Sequence, residues 1–289
     1  MKWRHQARQQ AQAQSIDPVE ADRLLEWAGW SRLQQLQGIP PQVRSDDGAF
    51  LSRQVTVPHL WHQRISQRIP LHYLMGEIVW RDLVLTVAPG VLIPRPETEL
   101  LIDVVEAWLI DHPSSDPQWW VDLGTGTGAI AIALARSCPT LRVVAVDISP
   151  TALDIATANI QRYGLASRIQ VVQGSWFEPL GSWAGQLGGL VSNPPYIPSA
   201  EVDRLQPEVR LHEPRLALDG GPRGTEVLDH LIETAPAYLA PGSLWLAEVM
   251  LDQADWVCEM LRQTHRYDQV KSHLDLAGIP RLVSARYRG

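Results

Sequence analysis

WVDLGTGTGAIAIALARS, residues 120–137, reads as three pieces. WVDLG is an apolar run short enough for a buried strand, and AIAIALARS is a compact apolar helix. Between them, Asp122 leads into Gly124, Thr125, Gly126, Thr127 and Gly128. Glycines at alternate positions let the backbone turn sharply and let a ligand approach the main chain. A strand, glycine loop and helix in that order open a parallel α/β sheet with a ligand site at the turn.

The flanking chain repeats the alternation. RVVAVD (142–147) is a strand, and TALDIATANIQRYG (151–164) is a helix ended by Gly164. IQVVQG (169–174), GGLVSN (188–193) and SLWLAEV (243–249) are further strands. Strands separated by helices imply a parallel sheet with helices on both faces. Upstream, residues 1–75 read as a small helical bundle. VEADRLLEWAG (19–29) sets Ala21, Leu24, Leu25 and Ala28 on one face, and HLWHQRISQRI (59–69) does the same with Leu60, Ile65 and Ile69. GIPPQ (38–42) and SDDG (45–48) are turn signals. EIVWRDLVLTVAPG (77–90) changes period, with Val79, Leu83, Leu85 and Val87 in strands around an Arg81-Asp82 connection. A β-hairpin linker over 76–92 and an α/β domain over 93–289 follow. LIPRPETELLIDVVEAWL (92–109) opens with prolines and acids before an apolar periodic run, the pattern of a helix start.

At 289 residues, 45% apolar and 20% charged, the chain has an ordinary globular composition. Its apolar runs, such as AIAIALA (129–135), are too short to span a bilayer, so no membrane partner is expected. The first residues have no apolar core, which excludes a secretory signal; Arg-rich and acid-poor, they read as a polar tail rather than a transit peptide. Cys138 and Cys258 are the two cysteines, too few for a disulfide framework, which points to a reducing cytoplasmic setting. The formal charge of −7 disfavours stable nucleic-acid binding. It is uneven: residues 1–76 carry nine Lys/Arg against six Asp/Glu, and the remainder sixteen against twenty-six. His59 and His62 share a helix face, but no third ligand is apparent and no metal is expected. Of twelve tryptophans, Trp108, Trp119 and Trp245 fall in periodic segments and are assigned to core. Glu248 ends a strand, where it serves equally as a cleft acid or a solvated one.

The glycine loop alone suits a dinucleotide as well as S-adenosylmethionine. Asp147, ending the second strand, suits a ribose in either, because two hydroxyls can donate to one carboxylate. Asp122 discriminates. A carboxylate beside the loop repels a pyrophosphate, yet suits the methionine ammonium or the sulfonium, so S-adenosylmethionine is the better ligand. A helix cap or solvated strand end is the plain alternative for each acid.

SNPPYI (192–197) ends the next strand of the series. Each proline lacks an N–H and fixes φ, and Asn193 before a proline is pushed to extended geometry. By itself such a tetrapeptide is equally a rigid turn. Facing the glycine loop, it is a display of acceptors. The Asn193 side-chain carbonyl and the Pro194 carbonyl can hold both hydrogens of a planar –NH₂ group, with Tyr196 against its π face. Such a clamp suits methylation of an amide nitrogen, whose lone pair is tied up in a resonance worth a rotation barrier of about 18–20 kcal/mol. Asn193, Pro194 and Tyr196 are the catalytic candidates.

DLGTGTGAIAIALA (122–135), VDISPTAL (146–153) and SNPPYI together resemble class I methyltransferases acting on amide or exocyclic amino nitrogens. RIPLHYLMGEIVWRDLVLTVAPGVLIPRPETELLI (68–102) and LHEPRLALDGG (211–221) narrow the resemblance to HemK/PrmC-type release-factor glutamine methyltransferases. The resemblance runs from about residue 18 to the C-terminus. It implies a Rossmann-like, mostly parallel seven-stranded sheet preceded by a small helical domain and hairpin; a monomer is expected. It implies N5-methylation of the glutamine in the Gly-Gly-Gln motif of peptide-chain release factors, with S-adenosylhomocysteine as co-product. Gly124 to Gly128, Asp147 and Asn193 would hold the cofactor, with Trp176 near its adenine. Asn193, Pro194, Pro195 and Tyr196 would form the substrate clamp, and Ile93 to Glu99 would border the methionine end. One departure stands out: where relatives often carry an acid to meet the adenine amino group, this chain has Ser175. A ribosomal-protein glutamine methyltransferase shares nearly all this chemistry. A nucleic-acid amino methyltransferase would want a basic surface to reach a flipped base, which residues 77–289 lack, and a non-catalytic binding protein has no use for Asp122, Asp147 and Asn193 together.

Overall fold

The structure is a computed structural model that describes residues 2–29, 56–113 and 118–289. The turn signals at 38–42 and 45–48 lie outside the described residues. The chain divides into two compact units, one of Met1–Glu77 with Gln206–His212 and one of Ile78–Leu205 with Glu213–Gly289.

The first unit is helical. Helices Lys2–Ala13, Glu20–Trp27, Val57–Gln67 and Leu71–Met75 enclose Ala7, Ala11, Ala21, Leu24, Leu25, Val57, Leu60 and Trp61. The polar N-terminal segment is thus a helix rather than a tail. Its two buried alanines make the contact, and Arg4 and Arg8 both bond Asp22 on the next helix. On Val57–Gln67 the buried positions are Val57, Leu60, Trp61 and Arg64, while Ile65 is only half-buried. The buried Arg64 is neutralised by Glu20, at 2.5 Å, and by Glu208 of the segment Gln206–His212, at 2.7 Å. An arginine with two carboxylates satisfies the cost of burying its charge.

The hairpin is β1 (Glu77–Trp80) and β2 (Leu83–Thr86), all but its first residue in the second unit. Here Ile78 and Trp80 face inward while Val79 is 73% exposed, so the apolar face of β1 is the opposite of the one its Val79 suggested. The large sheet contains β3 (Gln118–Leu123), β4 (Leu141–Asp147), β5 (Ile169–Gln173), β6 (Leu187–Ser192), β7 (Leu239–Glu248), β8 (Tyr267–Leu274) and β9 (Pro280–Tyr287). Its order is β5-β4-β3-β6-β7-β9-β8, parallel throughout except for the antiparallel β9. The helix Ala129–Ser137 begins directly at the glycine loop, and its first seven residues are all buried. Trp245 is fully buried, as its pattern required. Trp119 and Trp108 are only half-buried; Trp119 meets Trp183 edge-on, and Trp108 stacks on His112 with ring centroids 3.8 Å apart.

β3 is flanked by β4 and β6, so strand order reverses there, and open α/β sheets bind ligands outside such a reversal. The register sets Leu123 beside Val146 and Ser192, which brings the glycine loop, Asp147 and Asn193 to one edge. Gly189 makes the β3–β6 pairing possible. It lies opposite Trp120, and a Cβ there would collide with the buried indole. Gly189→Ala should therefore lower the unfolding free energy by about 1–3 kcal/mol, the usual cost of overpacking. Urea unfolding checks this; an unchanged midpoint and slope would contradict the packing described.

Candidate functional site

A cavity of about 350 Å³ opens at the strand reversal. The glycine loop, Asp147, Trp176, Asn193, Pro195, Thr98 and Val91 are on its wall. The loop's shape follows from its glycines. Gly124, Gly126 and Gly128 all have positive φ, between 55° and 82°. A side chain at Gly124 or Gly126 would meet only ordinary contacts, so the requirement there is conformational rather than steric.

The loop is held from below and from outside. Asp122 is fully buried, and its Oδ2 accepts from Thr125 Oγ1 at 2.6 Å and from the Ala131 N–H at 3.2 Å. It lies beneath the loop and off the cavity wall, whereas the sequence placed it beside the ligand's ammonium. Its Oδ1 is buried with no partner among the described residues. Burial, with the Asp147 charge adding to it, pushes the Asp122 carboxyl up to about 7. Asn159, inside the helix Pro150–Arg162, donates to the Thr127 and Thr86 carbonyls and accepts from the Thr86 N–H, tying the loop to β2. Nothing in the helical periodicity marks Asn159; a fully buried amide becomes visible only once the packing is known.

The loop's own amides discriminate between ligands. The N–H groups of Gly124 and Thr125 both bond Val146 O, Gly128 N–H bonds Thr125 O, and Gly126 N–H bonds Asp147 Oδ2 at 2.9 Å. Those amides are spent within the protein, so the loop is a poor cradle for a pyrophosphate, which needs free N–H groups. Asp147 Oδ1 takes the Ser149 N–H, also at 2.9 Å. Each Asp147 oxygen keeps further acceptor capacity for a hydroxyl facing the cavity. Trp176 adopts φ of 50° and lies across Gly124, its ring 3.8 Å from where a Cβ would sit. Ser175 also lines the cavity, and its N–H bonds Glu178 at 3.4 Å. These residues fit a ribose-bearing ligand with no phosphate.

Opposite the loop, the rigid tetrapeptide is clasped by the segment after LHEP. Ile197 N–H bonds Leu218 O, Gly220 N–H bonds Ile197 O, and Ser199 N–H bonds Gly221 O, all within 3.0 Å. A Cβ at Gly220 would come within 2.8 Å of both Tyr196 Cα and Pro195 O, so this close approach is reserved for glycine. Gln253 Nε2 donates to Tyr196 O and Gly224 O, completing the clasp. Among the described residues, nothing donates to the Pro194 carbonyl, though Pro194 itself is buried and off the cavity wall.

Glu248, whose role the sequence left open, and Thr98, within the Ile93–Glu99 segment expected to border the methionine end, organise this side. Glu248, at the end of β7, is 2% exposed. Its Oε2 accepts from Thr98 Oγ1 at 2.7 Å and its Oε1 from Tyr196 OH at 2.9 Å. Thr98 Oγ1 in turn accepts from Asn193 Nδ2 at 3.1 Å. Tyr196 is therefore pinned by its hydroxyl rather than standing on the wall, and burial against the Glu248 charge drives that phenol far above its ordinary range. Arg95 is anchored by its Nη2 to the buried Glu213 at 2.6 Å, which fixes the IPRP segment next to Thr98. The solvated reading of Glu248 falls: it is buried behind the cavity wall, under Thr98 and Tyr196, and the signal available in sequence was just its place at a strand's carboxyl end.

Several known proteins resemble this chain. Residues 98–208 match the family model "Methyltransferase small domain". A release factor glutamine methyltransferase of Synechocystis sp. is 46% identical over 99% of this chain and 95% of its own length. One of Gloeobacter violaceus is 43% identical over 97% and 94%. Among solved structures, the hMettl16 catalytic domain in complex with MAT2A 3′UTR hairpin 6 covers 80% of each chain with a TM-score of 0.56. At 15% identity, that likeness concerns the fold alone.

Asp122 carries a pH signature. An acid whose folded pKa is raised stabilises the fold most when protonated, and that contribution drains away as pH rises from the ordinary carboxyl range to about 7. Asp122→Asn should lose less stability than the wild type between about pH 4 and pH 7. Thermal unfolding across that range tests it; parallel pH profiles for the two proteins would contradict the burial argument.

Proposed function

Because the chain belongs to the release factor glutamine methyltransferases, we propose that it methylates the side-chain amide nitrogen, N5, of the glutamine in the Gly-Gly-Gln motif of peptide-chain release factors, acting in the cytoplasm as a monomer. Among the described residues no helix is long and apolar enough to cross a membrane. The enzyme uses S-adenosylmethionine, which supplies a methyl group on an electron-poor sulfonium when bound.

The single observation that carries the reading is that Asp147 and Asn193 face each other across one cavity, with the Pro194 carbonyl beside Asn193 in sequence. On one side, Asp147 faces the cavity from the strand end with both oxygens oriented by backbone N–H groups. It is the proposed ribose ligand, with Gly124, Thr125, Gly126, Thr127 and Gly128 forming the floor and Trp176 bordering the adenine. Asp122 supports that floor from beneath. On the other side, Asn193 turns its NH₂ to Thr98 and leaves Oδ1 for a substrate, while the Pro194 carbonyl has no competing donor. Two carbonyl acceptors grip the two hydrogens of a carboxamide and hold its nitrogen toward the methyl donor, with Pro195 on the cavity wall and Tyr196 held behind it through its bond to Glu248. Pulling on both N–H bonds raises electron density at nitrogen. Fixing its direction contributes on the order of several kcal/mol, as in well-oriented intramolecular reactions. The released proton needs no dedicated base and passes to water.

Asn193→Ala should leave cofactor affinity nearly intact and lower turnover on release factor by roughly 10²–10³, the effect of losing one preorganised polar contact. Full turnover would end the clamp. Asp147→Ala should weaken S-adenosylmethionine binding in calorimetry, and unchanged affinity would refute the ribose assignment. Labelled S-adenosylmethionine offered with purified release factor, ribosomal protein and DNA, followed by mass spectrometry, should place the label on the Gly-Gly-Gln glutamine. Label on a ribosomal-protein glutamine or a base would replace this substrate.

A further inference from the structure

A carboxamide presents an acceptor and a donor of nearly equal size and shape, so Asn193 fits its niche in two orientations that differ by a half-turn of the amide. One presents Oδ1 to the substrate and the other presents NH₂. Only the first can accept the hydrogens of a glutamine –NH₂; the second sets donor against donor. Something outside the amide must choose between them.

We propose that Thr98 and Glu248 are positioning residues that make this choice, locking the Asn193 carboxamide with its oxygen toward the substrate. The inference rests on the clamp described above. The chain of bonds has a direction. Glu248 accepts from Thr98 Oγ1 at 2.7 Å, so the one proton of that hydroxyl is committed. The Thr98 oxygen can then only accept, and the only group of the Asn193 side chain able to donate is the NH₂, at 3.1 Å. Oδ1 is left on the cavity side by elimination. Thr98 is 3% exposed and Glu248 2%, so bulk water does not compete for these bonds.

Tyr196 OH donates to the second Glu248 oxygen at 2.9 Å, which keeps the acid from turning away from Thr98. The groups bearing on Glu248 are the Thr98 and Tyr196 hydroxyls, the Glu97 carboxylate, which opposes its charge, and the Arg281 guanidinium, which favours it. Burial pushes the Glu248 carboxyl upward. A proton on the Glu248 oxygen facing Thr98 would instead be donated to Thr98, freeing the Thr98 hydroxyl to donate to Asn193 Oδ1 and turn the amide the other way. The same four-residue unit thus joins three separate parts of the chain: the 3₁₀ turn Pro96–Glu99, the tetrapeptide and the end of β7.

A double-mutant cycle tests the lock. Thr98→Val keeps the shape and removes the hydroxyl, and Thr98→Ser restores it. Turnover on purified release factor is measured for both, in the wild type and in Asn193→Ala, with S-adenosylmethionine affinity measured by calorimetry. In the wild type, Thr98→Val should lower kcat by about tenfold or more, by analogy with losing a partner that orients a metal ligand, while cofactor affinity holds and Thr98→Ser recovers most of the rate. In Asn193→Ala, Thr98→Val should cost nothing further, because no amide remains to be oriented. Equal losses in both backgrounds would make Thr98 a packing residue and overturn the lock, as would a loss of cofactor affinity in Thr98→Val. An impaired Asn193→Ala beside an unimpaired Thr98→Val leaves the clamp standing and removes the lock alone. An unimpaired Asn193→Ala removes both.

Discussion

The hydroxyl of Ser192 donates to the carbonyl of Leu123 across 2.7 Å of fully buried space. That bond fastens the last residue of β6 to the last residue of β3, at the point where strand order reverses. One residue beyond each partner the two halves of the site begin, Gly124 on one side and Asn193 on the other. Everything chemical depends on their separation staying fixed, because a methyl donor and a nitrogen nucleophile held in line lose rate steeply with small displacements. Gly189 opposite Trp120 keeps the two strands close further down, and Ser192 keeps them close at the mouth.

Buried polar groups define both halves, and they serve different ends. Asp122, Thr125, Thr127 and Asn159 hold the loop in a shape that free glycines would not keep alone. Thr98, Glu248 and Tyr196 surround Asn193 and give its amide a preferred sense. Polar networks of this sort cost stability unless every member is satisfied. Among the described residues Asp122 Oδ1, in the first of these networks, has no partner, and it lies under the loop that borders the cavity.

The α/β frame was legible because glycine and apolar periodicity act locally. The helix Ala129–Ser137 and the strands β3 to β7 fall where the pattern puts them. The antiparallel pair β8 and β9 was not legible, since β8 buries little beyond Tyr267 and offers no apolar alternation. The N-terminal helix escaped notice because two alanines make its contact and ion pairs finish it. In the site, Gly124 to Gly128, Asp147 and Asn193 announced themselves by motif. Asp122 was recognised as special, but its position under the loop depends on which way a strand-end side chain points. Glu248 and Thr98 lie 150 residues apart in sequence and become partners only through the sheet. Such a pair has no local signature, so single-sequence reading had no means of joining them.

The claim at the centre is geometric: an oriented asparagine carbonyl and a proline carbonyl grip a flat –NH₂ and turn its nitrogen toward the cofactor cavity. A crystal structure of the enzyme with S-adenosylhomocysteine and a Gly-Gly-Gln peptide measures this directly. The account predicts the glutamine nitrogen within hydrogen-bond distance, roughly 3 Å, of both Asn193 Oδ1 and Pro194 O. A glutamine whose –NH₂ points away from those two oxygens would contradict it.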